Sequence, residues 1–269
     1  MKDGYVLLKG LLTATELGRI VMEIHDVFAR SAAARGIAVT RGPDGRVPDR
    51  VLFELFDQDR ATYIASMRLI QNLPSLFAFG SDQRLLAVLR ELGLDQPVYS
   101  SRPIVTLSSR RTSQNIGHWK TPPHQDWRSV QGSLNGVVVW HSLFDVVPSL
   151  GPLEVVPGSH LLGLLEAEED IWYMRVPETV EAKMNFVPVE TRAGDVLVFS
   201  QFLLHRSGTN LEERHRYAIQ YRYNDASEPT YLARGYPTAY RSDAAMTKLV
   251  TPGFGTARDV AAIFGDRTA

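Results

Sequence analysis

The chain has 269 residues, 44% of them hydrophobic and 22% charged, with a net charge of -1 and a pI near 6.7. This length can bury a large core in one domain, and the balanced charge predicts no partner among nucleic acids or anionic membranes. The absence of cysteine excludes disulfides and thiol catalysis, and the lack of a signal peptide or long apolar run predicts a cytoplasmic protein.

Residues 1–97 are predicted to form a mostly helical flank. Thr13 and Glu16 have the spacing of a capping box, in which each side chain bonds the backbone of the other residue. Apolar residues follow at helical intervals: Leu17, Ile20, Val21, Ile24, Val27 and Phe28. The first helix should therefore begin after Thr13 and bury one face.

Further helices are predicted after a loop over residues 36–48 that is rich in Gly, Pro and Arg. Helical spacing of apolar residues returns from about Val51 to Leu69. Ser81 is expected to cap a later helix over residues 85–92, which Gly93 would end.

Residues 98–223 change to the alternating pattern of strands. Turns rich in Gly and Pro separate the runs, at residues 132–136, 148–152, 157–158 and 194–195. Short strands at this spacing predict an α+β fold with a mainly β core, a jelly roll or barrel, followed by a C-terminal extension over residues 224–269.

The segment Pro123-His124-Gln125-Asp126-Trp127 carries the strongest functional signal. On an extended strand the side chains of residues i and i+2 point to the same side, which would place an imidazole beside a carboxylate. His205 would add a second imidazole from a distant strand. Two histidines and one carboxylate form the facial triad that binds non-haem Fe(II) and leaves coordination positions open.

The residues around His205 support this interpretation. A Gly-Asp turn at residues 194–195 precedes two apolar runs, and the second run leads to His205. Arg216 follows eleven residues later and opens a predicted strand over residues 216–223. Its guanidinium could hold a carboxylate by two parallel hydrogen bonds, so a dicarboxylate anchor is predicted beside the metal.

With these motifs in order, the sequence resembles the phytanoyl-CoA dioxygenase family of Fe(II)/2-oxoglutarate oxygenases, which are built on a double-stranded β-helix. The resemblance covers most of the chain and rests on five segments: Asp3 to Leu12, Pro123 to Asp126, Val137 to Trp140, Gly151 to His160, and His205 to Asn210 with Arg216 beyond. It implies a cupin-like jelly roll flanked by N-terminal helices.

The resemblance also implies the chemistry. His124, Asp126 and His205 would bind Fe(II), Arg216 would bind 2-oxoglutarate with Ser207 as a helper, and Trp140 is a candidate to line the pocket. O2 would be the other cosubstrate, and a C-H bond of a small metabolite would be hydroxylated with release of succinate and CO2. Because the carboxylate Asp126 is present, hydroxylation is favoured over halogenation. Desaturation, ring formation and epoxidation stay open, because they start from the same oxidising species. The chain is shorter than the family's peroxisomal lipid enzymes and lacks a terminal Ser-Lys-Leu address, so a fatty acyl-CoA substrate is not expected.

Two other functions stay open. The same ligands could serve a zinc or manganese cupin-like hydrolase or isomerase, or a relative that only binds a ligand. The walls of the substrate pocket are expected from the N-terminal helices, the loop at 36–48, the segment 100–120 and the chain after Asp225, and the oligomeric state is not predicted.

Overall fold

The computed structural model describes residues 1–115, 120–169, 174–237, 253 and 255–264. The helices of these residues are α1 (Ala14–Ala33), α2 (Asp49–Gln58), α3 (Arg60–Ile70), α4 (Pro74–Gly80), α5 (Gln83–Glu91), α6 (Arg110–Asn115), α7 (Trp127–Val130), α8 (Glu178–Glu181), α9 (Pro229–Ala233) and α10 (Ala257–Phe264). The first five give the helical flank that the sequence predicts.

Local sequence signals fix most ends of these helices. The predicted capping box at Thr13 and Glu16 is confirmed, and both of its hydrogen bonds are present. The predicted helix from Val51 to Leu69 is two helices, because Asp59 leaves the helical conformation and its side chain caps α3. Asp82, and not Ser81, accepts the hydrogen bond that caps α5, from the backbone of Arg84.

Eleven strands form three sheets among the described residues. They are β1 (Tyr5–Leu8), β2 (Pro97–Tyr99), β3 (Ile104–Ser108), β4 (Val137–Ser142), β5 (Leu153–Val155), β6 (Glu168–Glu169), β7 (Met174–Arg175), β8 (Val187–Val189), β9 (Val196–Ser200), β10 (His205–Ser207) and β11 (Arg216–Asp225). The main sheet has the order β1-β9-β4-β11-β2, with β3 also paired to β11, and a smaller sheet has the order β10-β5-β8. All pairings in these two sheets are antiparallel.

The alternation of side chains along the central strands separates two cores. In β4, Val137 and Val139 pack with the helices, whereas Val138 and Trp140 pack with the small sheet. In β11 the odd-numbered residues from Tyr217 to Tyr223 join the helical core in the same way. The even-numbered residues of β11 therefore face the interior between the two sheets.

This arrangement confirms the predicted α+β fold with an antiparallel jelly-roll core. The N-terminal flank also supplies β1 to the edge of the main sheet, beside β9. Within the described segments, no helix combines the length and the apolar character needed to cross a bilayer.

Candidate metal centre

Three buried side chains come together where strand β10 of the small sheet begins. One nitrogen or oxygen atom from each of His124, Asp126 and His205 lies within 4.8 Å of the other two. The Nε2 atoms of His124 and His205 lie 3.7 and 3.8 Å from the two carboxylate oxygens of Asp126. Modest side-chain movements would bring all three onto one ion, and no second cluster of this kind occurs in the described residues.

The backbone brings these residues together differently from the prediction. His124 pairs with His205 in an isolated antiparallel bridge, with N-H to O distances of 3.0 and 3.1 Å in the two directions. Asp126 is not on a strand, because it has helical backbone angles and stands at the start of α7. The chain therefore turns between the two ligands, and the predicted i, i+2 strand geometry is wrong at this point. Residues 202–204 likewise form a turn and not a strand, and β10 begins at His205 itself.

Gln125 fixes this turn although the sequence analysis gave it no role. Its Nε2 donates to the carbonyl oxygens of Gly163 and Phe202, at 2.8 and 2.6 Å, and its Oε1 accepts from the N-H of Leu165 at 2.8 Å. Trp127 stacks on Phe202 with ring centroids 5.0 Å apart. The loop that carries two ligands is thus tied to the loop before the third.

Both histidines present the same ring nitrogen to the centre. The Nδ1 atoms of His124 and His205 lie 2.8 and 2.9 Å from the carbonyl oxygens of Pro122 and Leu203. Because a carbonyl can only accept, each Nδ1 carries the proton and each Nε2 keeps a lone pair. Burial lowers the pKa of His205 to about 3, with the neighbouring His124 adding to the effect. The imidazole of His205 is therefore neutral and able to bind a metal at neutral pH.

Asp126 is held as a carboxylate by its surroundings. Burial alone would raise its pKa, but the Arg222 guanidinium beside it is the largest opposing effect and helps to hold the pKa well below its usual range. Arg222 donates from Nη2 to Oδ1 of Asp126 at 2.8 Å. Sequence reasoning missed Arg222, although its position six residues after Arg216 puts both arginines on the same face of β11.

Arg216 lines the same cavity as His124 and His205. Its side chain is buried, its Nη1 donates to the carbonyl oxygen of Gly151, and its Nε has no hydrogen-bond partner in the described part of the chain. No carboxylate among the described residues pairs with it. Burial lowers the pKa of Arg216 to about 10, so the guanidinium still carries its charge at neutral pH. A buried cation of this kind is costly unless an anion compensates it.

The other two predicted pocket residues line the same cavity. Trp140 belongs to the core between the sheets and also forms part of the cavity wall. Its neighbour His141 faces the helices, as strand alternation predicts, and lies against Phe79 and Tyr221. Ser207 is buried in β10, where its N-H donates to the carbonyl oxygen of Thr121.

Three of the expected pocket segments lie wholly or largely within the described residues, and of these the N-terminal helices do not line the cavity of the triad. Ile104 and Thr106, from the segment 100–120, line the cavity of the triad. The loop at 36–48 instead lines a separate cavity with His25, on the helical side of the main sheet. Residues 116–119 and most of the chain after residue 237 lie outside the described residues.

The donor set fits a hard or borderline divalent cation. Two imidazoles and one carboxylate supply three ligands, and Oδ2 of Asp126 has no hydrogen-bond partner among the described residues. A cation would satisfy this buried oxygen. The cavity beside it exposes the Arg216 guanidinium to any anionic group that enters.

Comparison with known proteins agrees with this geometry. The family model of phytanoyl-CoA dioxygenase (PhyH) matches residues 1–218. The protein Mb1539 of Mycobacterium bovis is 26% identical over 197 residues, which are 70% of this chain and 66% of that protein. The chain thus matches just under two thirds of the length of that relative. Phytanoyl-CoA dioxygenase 1 of Oryza sativa subsp. japonica is 32% identical over 127 residues, 43% of this chain and 44% of the rice protein.

Solved structures show the same fold. The epimerase SnoN, crystallised with Fe3+, alpha ketoglutarate and nogalamycin RO, superposes with a TM-score of 0.59 at 22% identity, over 95% of this chain and 88% of SnoN. The match of the family model to most of the sequence confirms the predicted resemblance, and with the triad it supports Fe(II), 2-oxoglutarate and O2 as the expected cofactors. The chain therefore belongs to the phytanoyl-CoA dioxygenase family.

Proposed function

We propose that this protein is an Fe(II)- and 2-oxoglutarate-dependent oxygenase that hydroxylates a C-H bond of a small-molecule metabolite. One observation carries the proposal: a buried His-Asp-His cluster shares a cavity with the buried guanidinium of Arg216, which has no acidic partner among the described residues. Metal ligands alone would suit many enzymes, but a buried anion anchor beside them suits one that also binds a dicarboxylate.

The three ligands would hold the metal on one side. Their Nε2 and carboxylate atoms need no proton transfer before binding, because both imidazoles present a lone pair and Asp126 is ionised. Bound iron and 2-oxoglutarate supply the oxidising chemistry, in which one atom of O2 enters succinate as CO2 leaves and the other enters the substrate. The protein contributes geometry and a pocket shielded from water.

Arg216, Trp140 and Ser207 would position the cosubstrate. The guanidinium of Arg216 would bind the carboxylate far from the metal through two charged hydrogen bonds. The indole of Trp140 would give the cavity an apolar wall, and Ser207, which lines the same cavity, would donate from its hydroxyl to the same anion. These roles place the 2-oxo acid between Arg216 and the triad.

The test is a balance of cosubstrates with purified protein. Protein loaded with Fe(II) is incubated with 2-oxoglutarate and O2, alone and with a panel of metabolites, and succinate and O2 consumption are measured. We expect equal amounts of succinate formed and O2 consumed, with a dependence on iron. A protein that consumes no 2-oxoglutarate under any of these conditions would contradict the proposal.

The same experiment separates the two alternatives. A hydrolase or isomerase would convert a substrate without consuming O2, and a ligand-binding relative would convert nothing. Isotopically labelled O2 then distinguishes hydroxylation, which places the label in the product, from other oxidative outcomes that do not.

A further inference from the structure

A second buried arginine reaches the proposed metal centre. Arg222 lies on the interior face of β11, and its side chain is 4% exposed. Its Nη2 donates to Oδ1 of Asp126 at 2.8 Å, across 96 residues of sequence. This contact joins the central strand of the main sheet to the loop that carries two of the three candidate ligands.

The two oxygens of Asp126 have different surroundings. Oδ1 accepts the hydrogen bond from Arg222, whereas Oδ2 has no hydrogen-bond partner in the described residues and lies 3.8 Å from Nε2 of His205. A buried carboxylate oxygen without a partner is unfavourable, and it is the atom that a cation would satisfy best.

We propose that Arg222 is a positioning residue, which holds Oδ1 of Asp126 so that only Oδ2 binds the metal. The proposal rests on the proposed function only in requiring that the triad binds a metal. Its consequence concerns the number of open positions. An octahedral ion with three protein ligands keeps three, two for a chelating 2-oxo acid and one for O2. A carboxylate that bound through both oxygens would take one of them.

Arg222 is itself held in place. Its Nη2 also donates to Oε1 of Gln220, two residues earlier on the same face of β11, at 3.1 Å. Gln220 lines the cavity of the triad. The hydrogen-bonded series Gln220, Arg222, Asp126 therefore runs from the cavity wall to a candidate ligand, and both acceptors hold the same guanidinium nitrogen, Nη2.

The main alternative is that Arg222 acts only through its charge. The two explanations predict opposite changes in metal affinity when Arg222 is removed. A positive charge beside the triad repels a cation, so if charge alone mattered, removing it would strengthen metal binding. If positioning dominates, removing Arg222 weakens metal binding, because Asp126 loses its fixed orientation. Outer partners of metal ligands typically contribute 10- to 100-fold in affinity.

The experiment measures Co(II) binding by its visible absorption, without 2-oxoglutarate and without turnover. We expect Arg222→Met to lower Co(II) affinity by about 10- to 100-fold and to change the shape of the absorption band. Arg222→Lys, which keeps a charged donor, should recover part of both. Unchanged or tighter Co(II) binding in Arg222→Met would overturn the proposal.

Two further variants keep the result interpretable. Arg206→Met removes a partly buried arginine that adjoins His205 in sequence and pairs with Glu154 and Glu181, and its Co(II) affinity should match that of the wild type. If Arg222→Met does not fold by circular dichroism, Arg222→Gln decides whether metal affinity falls or rises, because its uncharged side chain is two bonds shorter and loses both the charge and the hydrogen bond to Asp126 while a polar group remains. Weaker binding in that variant supports positioning, and equal or tighter binding overturns it.

The outcome is separable from the proposed function. Co(II) binding that weakens in Arg222→Met supports the positioning role even if the protein never consumes 2-oxoglutarate. A wild-type protein that binds no Co(II) would overturn both proposals together.

Discussion

Two buried arginines on one face of β11 differ in what they contact. Arg222 donates to a carboxylate, Asp126, within the protein, whereas Arg216 donates to the carbonyl of Gly151 and contacts no carboxylate among the described residues. A buried charge without a counterion is unfavourable in the free protein. The difference makes Arg216 the residue that should gain most from binding an anion.

Replacing Arg216 should weaken 2-oxoglutarate binding and spare the metal. We expect Arg216→Ala to raise the KM for 2-oxoglutarate by about 10- to 100-fold, since charged hydrogen bonds contribute about 1.5 to 3 kcal/mol. Steady-state kinetics at varied 2-oxoglutarate, with Fe(II) affinity measured in parallel, checks this. Arg214→Ala is the matched control, because that neighbouring arginine is half-exposed and pairs with Glu212. An unchanged KM in Arg216→Ala would move the anchor to another residue.

Loss of a metal ligand should abolish iron binding, which the loss of Arg216 should leave unchanged. We expect His124→Ala and Asp126→Ala to abolish turnover together with Fe(II) binding, because each removes one of three atoms around the ion. Equilibrium dialysis against Fe(II) under anaerobic conditions measures the binding. Either variant with wild-type iron affinity would remove that residue from the metal centre.

At the scale of elements, the centre depends on how three loops are tied together. Gln125 joins the turn before α7 to the loops at Gly163 and Phe202, and the backbone bridge between His124 and His205 extends the small sheet by one residue pair. Only two strands contribute residues to the centre directly: β10 contributes His205 and β11 contributes Arg222. The triad is therefore sensitive to side chains that never touch the ion.

Gln125→Leu tests this dependence. It removes three buried hydrogen bonds while keeping much of the side-chain volume, so we expect the free energy of unfolding to fall by about 1 to 3 kcal/mol. Urea denaturation of the metal-free protein gives this value. Gln71→Leu, which loses one bond to Met67 at a partly exposed site, should change it by less than about 0.5 kcal/mol. Equal effects of the two variants would show that the Gln125 bonds have no special importance.

The sequence predicted the elements of the site better than their connections. Strand alternation places Trp140 and His141 on opposite faces of β4, and the strand predicted to open at Arg216 is β11. The turn at Asp126 was missed because its backbone depends on the bonds of Gln125 to distant loops. Arg222 was missed because the 2-residue period gives the face of a side chain but not the residue, 96 positions away, that it contacts. The roles of the ligands, Arg216, Ser207 and Trp140 remain predictions.

At the level of the whole molecule, the main sheet separates the interior that holds the candidate metal centre from a largely apolar helical side. His141 is an exception, because it is fully buried against Phe79 and Tyr221 on the helical side. Burial lowers its pKa from the ordinary value of 6.5 to about 3. The unfolded chain therefore takes up this proton first as the pH falls, and stability is lost from about pH 6.5 downward.

His141→Phe should reduce this loss of stability. Between pH 7.5 and 5.5 the unfolded histidine gains its proton and the folded one does not, which amounts to about 1.4 kcal/mol. We expect the metal-free variant to lose about that much less stability than the wild type over this interval, as measured by urea denaturation at both pH values. The same pH dependence in both proteins would assign the effect to other groups.

We propose that three side chains hold one metal ion whose open positions accept a 2-oxo acid. Anaerobic titration tests this proposal, because ferrous iron chelated by 2-oxoglutarate absorbs visible light by charge transfer. We expect a visible band that requires protein, Fe(II) and 2-oxoglutarate together and saturates at one equivalent of each. The absence of such a band in folded protein that has bound Fe(II) would contradict it.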